Sequence, residues 1–383
     1  MPANEESSRM NFGIVVSGGP APGINSVISA SVIEATNRGY KVKGLVNGFR
    51  DLTLGEQGAV VNLTTDMVTT IYNKGGSILG TSRFNPLKDE KLLGQFLAGL
   101  EAHQIDKLIV IGGEGSAYLS LKLSQLHRNL SVVAVPITIK NDLVLPNNHP
   151  SFGFETALHA GSQIVEILRE DAKTCRRWFV ATTMGRKAGF LALGMGLAAG
   201  ATSALIPEEF TGVGPSPEDL ASIVFSSIRK RLSMGKNYGV ILLAEGILDC
   251  INVERSSALQ GCVRDDMGRI RYSQIELGDV IIPPLKQMLK DANLDVHIVT
   301  KNIGYELRCC NPISFDVEYT KFLGYGAVQH VLAGNNGIMV TRDFDKLGFI
   351  PLESMARSDG VIKSRGVDLS SDLYRVARSF MIR

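Results

Sequence analysis

The sequence predicts an α/β protein built on mainly parallel sheets. Short apolar runs alternate with helical patterns along most of the chain, and Gly- or polar-rich turns follow several of those runs. Length is the third observation: 383 residues suffice for two domains and a large core.

Residues 12–17 read as a strand of consecutive apolar positions, followed by a Gly/Pro turn and a helix over 24–37 that ends before Gly39. A strand over 42–46 and a helix over 65–72 come next. Residues 108–111 form a strand, 117–126 a helix and 131–135 a strand. A long helix over 155–170 carries Leu158, Ile164, Ile167 and Leu168 on its apolar side. The alternation continues with strands at 178–182, 204–206, 239–244, 296–300 and 337–340, and helices at 187–199, 217–232, 272–291 and 314–332. Neither a tandem repeat nor a low-complexity linker is visible, so composition marks no domain boundary.

Hydrophobic residues make up 44% and charged residues 20%, the balance of an ordinary globular protein. The net charge of +2 gives no electrostatic case for nucleic acid or a membrane surface. Residues 1–11 are polar and lack the apolar core of a secretory signal. Residues 188–206 are apolar for nearly a membrane span. Their glycines, with Thr202 and Ser203, favour a buried helix ending near Gly200 and then a short strand. The five cysteines (Cys175, Cys250, Cys262, Cys309, Cys310) are odd in number and lack metal-ligand spacing; free buried thiols in a reducing cytoplasm are expected.

Candidate chemistry gathers at strand ends, where ligands bind in open α/β sheets. The turn 17–25 (SGGPAPGIN) follows the first strand, and its glycines let backbone N–H groups approach an anion at a helix N-terminus. It lacks the glycine spacing of a dinucleotide or Walker loop, and a plain strand-to-helix turn is the alternative. Residues 112–116 (GGEGS) form a second phosphate-loop candidate, in which Glu114 could bind Mg²⁺ or simply be solvated. Residues 135–142 (VPITIKND) end a third apolar run. Arg83, Arg186, Arg177 and Arg308 are candidates for bidentate phosphate contacts, with surface charge as the alternative for each. Glu245, after an apolar strand, could accept hydrogen bonds from sugar hydroxyls or act as a cap. Asn311 with Pro312 is equally a plain helix start.

The order of these segments resembles the phosphofructokinase family. GGPAPGIN (18–25), LGTSRF (79–84), GGEGS (112–116), PITIKND (136–142), FGFETA (152–157), MGR (184–186), IPEE (206–209), AEGI (244–247) and GYELRCCNPISFD (304–316) follow one another as they do there, over most of the chain. GGPAPGIN and GYELR with NPISFD look most like the pyrophosphate-dependent branch. The resemblance implies two Rossmann-like three-layer domains with the active site in the cleft between them. One would comprise 1–153 plus about 308–360 and the other about 154–307 plus 361–383. It implies Mg²⁺-dependent phosphoryl transfer to O1 of fructose 6-phosphate.

By that resemblance Gly19, Gly113, Gly115 and Ser116, with Arg83, would hold the donor, and Glu114 the metal. Thr138 and Ile139 would approach the transferring group or the sugar. Met184, Gly185, Arg186 and Glu245 would contact the sugar; Tyr305 and Arg308 would grip the 6-phosphate. Arg177 would reach a 6-phosphate in a neighbouring subunit, implying a homodimer or homotetramer. The donor stays open between pyrophosphate, favoured by sequence context, and ATP, for which Gly115 leaves room.

One position departs from the family loop Thr-Ile-Asp-Asn-Asp. The general-base aspartate is replaced by Lys140. An ammonium has only donors and cannot accept a proton. Four readings follow: a weakened or regulatory paralogue, catalysis through Asp142 or water, a different phosphorylated substrate, or an engineered substitution.

Overall fold

The computed structural model describes residues 11–127, 129–186, 188–212, 214–252, 275–358 and 360–383. They fall into two compact units. The first comprises the described residues up to Ile139, with Leu143–Ala157 and Leu307–Ser364; the second comprises Lys140–Asp142, Leu158–Glu306 and Arg365–Arg383.

The first unit holds a seven-stranded sheet in the order β11-β10-β5-β4-β1-β2-β3. Its centre is parallel: β1 (Asn11–Ser17) pairs with β2 (Val42–Leu45) and β4 (Ile105–Gly112), and β4 with β5 (Ser131–Pro136), which pairs with β10 (Ile338–Asp343). Every residue of β1 is buried, the mark of a parallel strand covered on both faces. On one face Val15, Leu45, Val110 and Val132 pack against Phe49, Phe96 and Leu123. Each such fully buried side chain contributes about 1.5–3 kcal/mol.

Both edges of this sheet are antiparallel, through β3 (Val60–Leu63) and β11 (Lys346–Pro351), neither anticipated from the sequence. Both are partly exposed and lack a buried-strand pattern. Helix α4 (Glu90–Ala102) is also an addition. Asp89 caps it, accepting from Leu92 N–H at 2.8 Å, and Phe96 and Leu100 are its buried positions.

Helices α1 (Ile24–Asn37) and α11 (Ser314–Leu332) pack closely, and Ser31 Oγ donates to Gly324 O at 3.0 Å. A Cβ on Gly324 would stand 2.7 Å from Val27 O, so this crossing requires glycine. At the start of α11 lies Asp316, fully buried. It accepts from Gly153 N–H (2.8 Å), Thr156 N–H (2.8 Å) and Thr156 Oγ1 (2.5 Å), which holds the first turn of α6 (Phe154–Cys175). Burial pushes the Asp316 carboxyl up, against these three hydrogen bonds.

The second unit is a four-stranded parallel sheet, β7-β8-β6-β9. Its strands are β6 (Trp178–Thr183), β7 (Ser203–Leu205), β8 (Gly239–Ala244) and β9 (Ile298–Ile303). Successive residues on a strand face opposite ways: Leu243 packs with α8 (Pro217–Ser233) and α9 (Leu277–Asp291), Ala244 with α7 (Phe190–Ala199) and α13 (Asp372–Phe380). The apolar stretch 188–206 is thus a buried helix, closed by Gly200 at φ +66, and then a strand. Among the described residues no helix is long and apolar enough to cross a membrane.

Several expectations need correction. The helix at 65–72 shrinks to one turn, α3 (Thr65–Val68), and the strand at 296–300 becomes β9, starting two residues later. The start of the helix at 272–291 lies outside the described residues. Ile167 is 69% exposed, so the apolar stripe of α6 is narrower than its sequence suggests. The described thiols are not buried. Cys175 and Cys309 are exposed, Cys250 and Cys310 half-buried, and none of the four is in a disulfide; Cys262 is outside the described residues. Cys175 ends a helix and Cys309 follows a one-turn helix, both surface positions.

The C-terminal segment is fastened by charge. Arg383 donates to both carboxylate oxygens of Glu209, at 2.7 and 3.0 Å, and to Ser203 Oγ at 2.9 Å. Tyr374 Oη donates to Glu209 Oε1 at 2.5 Å. Burial first, then that bond, push the Tyr374 hydroxyl up to about 12.

Removing the Asp316 carboxylate strands three buried donors. Asp316→Ala is expected to lose about 3 kcal/mol or more in urea denaturation, at about 1–3 kcal/mol per stranded group; an unchanged midpoint would refute the clamp. The raised Tyr374 pKa contributes stability that is whole below the unfolded value of about 10 and declines as pH rises toward about 12. Tyr374→Phe should therefore flatten the alkaline fall in Tm; parallel falls in both proteins would contradict this.

Candidate active site

Parallel pairing sets three motifs on one line. In the first unit Ser17 is level with Gly112, and Gly112 with Pro136. All three are the last residues of adjacent strands, so the turns GGPAPG, GEGS and ITIKND leave the sheet from a common row. That carboxyl edge is where an open parallel sheet binds ligands.

Side chains tie the turns together. Ser116 Oγ donates to Ser17 O at 3.0 Å, and Ile137 N–H to Gly112 O at 3.0 Å. A Cβ on Gly112 would meet Ser116 Oγ at 2.1 Å, which explains glycine at this position. Gly113 is extended and caps α5 (Glu114–Leu126), whose first turn carries half-buried Glu114, exposed Gly115 and buried Ser116. Nothing lies within 4 Å of a Cβ built on Gly115. The first N–H groups of α5 form a site suited to an anion.

Gly18 N–H donates to Ser82 O at 2.8 Å, and Thr81 Oγ1 to Gly18 O at 2.9 Å. These bonds hold the segment of exposed Arg83 beside the Gly18–Gly19 turn. Thr138 and Ile139 are buried, and Ser151 Oγ donates to Thr138 O at 2.8 Å.

Asn25, Gly75 and Asn311 complete this edge, although none of them is among the site residues expected from the sequence. Asn25 Nδ2 donates to Lys74 O (3.2 Å) and Gly75 O (3.3 Å), and its Oδ1 accepts from Ile78 N–H at 2.9 Å. Gly75 N–H donates to Asn311 Oδ1 at 3.0 Å. A Cβ on Gly75 would fall 2.0 Å from Cys309 O, so two backbones touch directly after Arg308. The Arg308 guanidinium carbon in turn lies 3.8 Å from a Cβ built on Gly19. Arg308 therefore stands with the Gly19 turn. Tyr305 belongs to the second unit and is 78% exposed. The one signal in the sequence for this bracket was that Asn25 and Asn311 sit within the motifs.

The second unit repeats the row. Thr183 is level with Ala244 and with Ile303, again last residues of adjacent strands. Met184, Glu245 and Gly304 follow them. Met184 N–H donates to Ile303 O (3.2 Å) and Gly185 N–H to Glu245 Oε1 (3.2 Å). A Cβ on Gly246 would fall 2.3 Å from Arg186 O. Arg186 is exposed, with Nε 3.5 Å from Asp249 Oδ2. Arg177 is not brought to this set: it precedes β6, at the strand end opposite Met184, and forks onto Asp171 at 2.6 and 2.7 Å.

The loop 140–142 belongs to this unit. Lys140 Nζ lies 2.7 Å from Asp142 Oδ2, a charge contact outside hydrogen-bond geometry. The Asp142 side chain is 2% exposed and that of Lys140 33%.

No group of three or more His, Cys, Asp or Glu side chains among the described residues could cage a metal ion. Mg²⁺ needs no cage, since it keeps water and phosphate ligands around one or two carboxylates. Glu114, at a strand end among phosphate-suited N–H groups, fits that requirement.

The chain is similar to known proteins in both sequence and fold. The phosphofructokinase family profile matches residues 11–331. The chain is 41% identical over 379 residues to a pyrophosphate–fructose 6-phosphate 1-phosphotransferase from Thermotoga maritima, covering 97% of this chain and 90% of that one. To its namesake from Naegleria fowleri it is 40% identical, covering 97% and 88%. Among solved structures, a pyrophosphate-dependent phosphofructokinase from Nitrosospira multiformis superposes with a TM-score of 0.72 at 19% identity, over 98% of this chain and 92% of that one. Phosphofructokinase from Saccharomyces cerevisiae gives 0.70 at 23% identity; the match covers 90% of this chain and only 45% of that longer one.

The close approach at Gly75 generates a test. Gly75→Ala should push residues 309–311 away, cost about 1–3 kcal/mol as overpacking does, and speed amide exchange at 309–311. Parent-like exchange there would show that the backbone contact does not hold Arg308 in place.

Proposed function

The chain belongs to the phosphofructokinase family of phosphotransferases, and on that premise we propose that it transfers a phosphoryl group from pyrophosphate to O1 of fructose 6-phosphate, yielding fructose 1,6-bisphosphate. The carrying observation is the common row of Ser17, Gly112 and Pro136, from which three motif turns leave adjacent strands. In this reading the N–H groups of Gly19 and of 113–116, with Arg83, hold the donor. Glu114 holds Mg²⁺, which neutralises charge on the phosphates when bound. Thr138 and Ile139 line the transferring group. Met184, Gly185, Arg186 and Glu245 orient the sugar, and Tyr305 and Arg308 hold its phosphate.

Pyrophosphate is proposed as donor because the two relatives near 40% identity carry it in their names. The open space beside Gly115 keeps ATP as the alternative donor. Arg177, remote from the Met184 set along β6, would serve a neighbouring copy in a homo-oligomer. Phosphoryl transfer depends chiefly on positioning and electrostatics, so turnover does not require every acid–base group.

Proton acceptance is the weak step. Lys140 stands where the family resemblance implies a carboxylate, and an ammonium offers no acceptor. Asp142 is the one carboxylate in 136–142, and it faces Lys140 at 2.7 Å. That pairing favours a second reading, a sugar-phosphate-binding paralogue with little turnover.

One experiment separates the two. Bisphosphate formation is assayed with Mg²⁺ and either pyrophosphate or ATP, for the parent chain and Lys140→Asp, beside calorimetric titration with fructose 6-phosphate. Loss of a general base costs about 10²- to 10⁴-fold, so Lys140→Asp should raise kcat by about that factor. Ordinary parental turnover with no gain would move proton acceptance to Asp142. Binding without turnover in either protein favours the second reading, and no binding at millimolar sugar phosphate sinks both.

A further inference from the structure

We propose that Arg365 is a positioning residue that fixes the loop 140–142 and thereby imposes the Lys140–Asp142 pair; the consequence for turnover rests on the function proposed above, while the positioning itself does not. Asn141 sits at φ +56, a left-handed conformation uncommon outside glycine but tolerated by asparagine. Such a residue persists only when its surroundings over-determine it. Asn141 and Asp142 are buried residues, at 7% and 2% exposure, so the polar groups of this loop need partners within the protein.

Arg365 supplies three donors to two consecutive residues. Its Nε donates to Asn141 O at 2.9 Å, an Nη donates to Asn141 Oδ1, and its backbone N–H donates to Asp142 O at 2.9 Å. The guanidinium also lies 5.4 Å from the centre of the Phe190 ring, the first residue of α7. Fork and stack together define one orientation, which a flexible point charge such as lysine cannot reproduce.

Val367, two residues further on, makes a second anchor. Val367 N–H donates to Glu208 Oε1 at 2.7 Å, and the same carboxylate accepts from Gly189 N–H at 2.9 Å. Residues 365–367 thus hold both the 140–142 loop and the start of α7, just beyond Met184–Arg186 in the chain. All of these groups lie in the second unit. Arg365 fixes the Asp142 backbone through its carbonyl, and the Asp142 carboxylate faces Lys140 at 2.7 Å.

The test reads the loop without relying on turnover. Lys140 is labelled with acetic anhydride and followed by peptide mass spectrometry, with exposed Lys286 as internal reference. Arg365→Met should raise the Lys140 rate about 10-fold relative to Lys286, the scale set by lost charge-assisted hydrogen bonds. Arg365→Lys should fail to restore the parental rate. In the Lys140→Asp background, Arg365→Met should lower kcat while leaving KM for fructose 6-phosphate in place. Should Arg365→Met fail to fold, Asn141→Gly removes one acceptor without backbone strain and should give the same labelling change at smaller amplitude. Parental labelling in a folded Arg365→Met or in Asn141→Gly overturns the proposal, whatever the turnover. Altered labelling in chains that never turn over upholds the positioning and counts against the proposed reaction alone.

Discussion

Parallel register is the constraint on which the functional reading depends. In each unit three adjacent strands end on a shared row: Ser17, Gly112 and Pro136 in one, Ala244, Thr183 and Ile303 in the other. A slip of one residue would turn every side chain of a strand to the opposite face. Strands buried on both faces, such as β1 and β8, would lose packing in that slip, so the core that stabilises each sheet also aligns their loops. A chain whose motifs are scattered over 300 positions thereby presents them in two compact sets.

The turns themselves are set by close backbone approach. Gly112 leaves room for Ser116 Oγ, Gly75 for the carbonyl of Cys309, and Gly246 for that of Arg186. At each position a methyl group would occupy space already filled. Asparagine amides then complete the hydrogen bonding, with Asn25 in the first turn of α1 and Asn311 in the segment ahead of α11 gripping the 74–78 segment. Asp316 does the same for the start of α6, and it stays buried because three donors converge on it. Stability and site geometry share these contacts.

Charge is arranged differently in the two sets. The first set offers helix N–H groups and Glu114 at the start of α5, with the Arg83 segment and Arg308 beside the Gly18–Gly19 turn, a composition suited to phosphate with a divalent cation. In the second set, carboxylates are already engaged: Glu245 with Gly185 N–H, Asp249 near Arg186, and Asp142 against Lys140. Lys140 thus sits against Asp142, the one carboxylate of its own loop.

The sequence by itself determined the α/β class, the central strands and the strand ends that carry the motifs, because consecutive apolar residues and glycine turns are local signals. The order of its motifs also indicated the family. Edge strands β3 and β11 escaped notice because half-exposed strands lack an apolar run. Thiol exposure at Cys175 and Cys309 depended on where element ends meet the surface. Only the tertiary structure decided that Arg308 stands with Gly19, that Asn25 and Asn311 bracket Gly75, and that Arg365 reaches Asn141 from 224 residues away. Those are long-range hydrogen bonds and close approaches, and no periodicity along the chain encodes them.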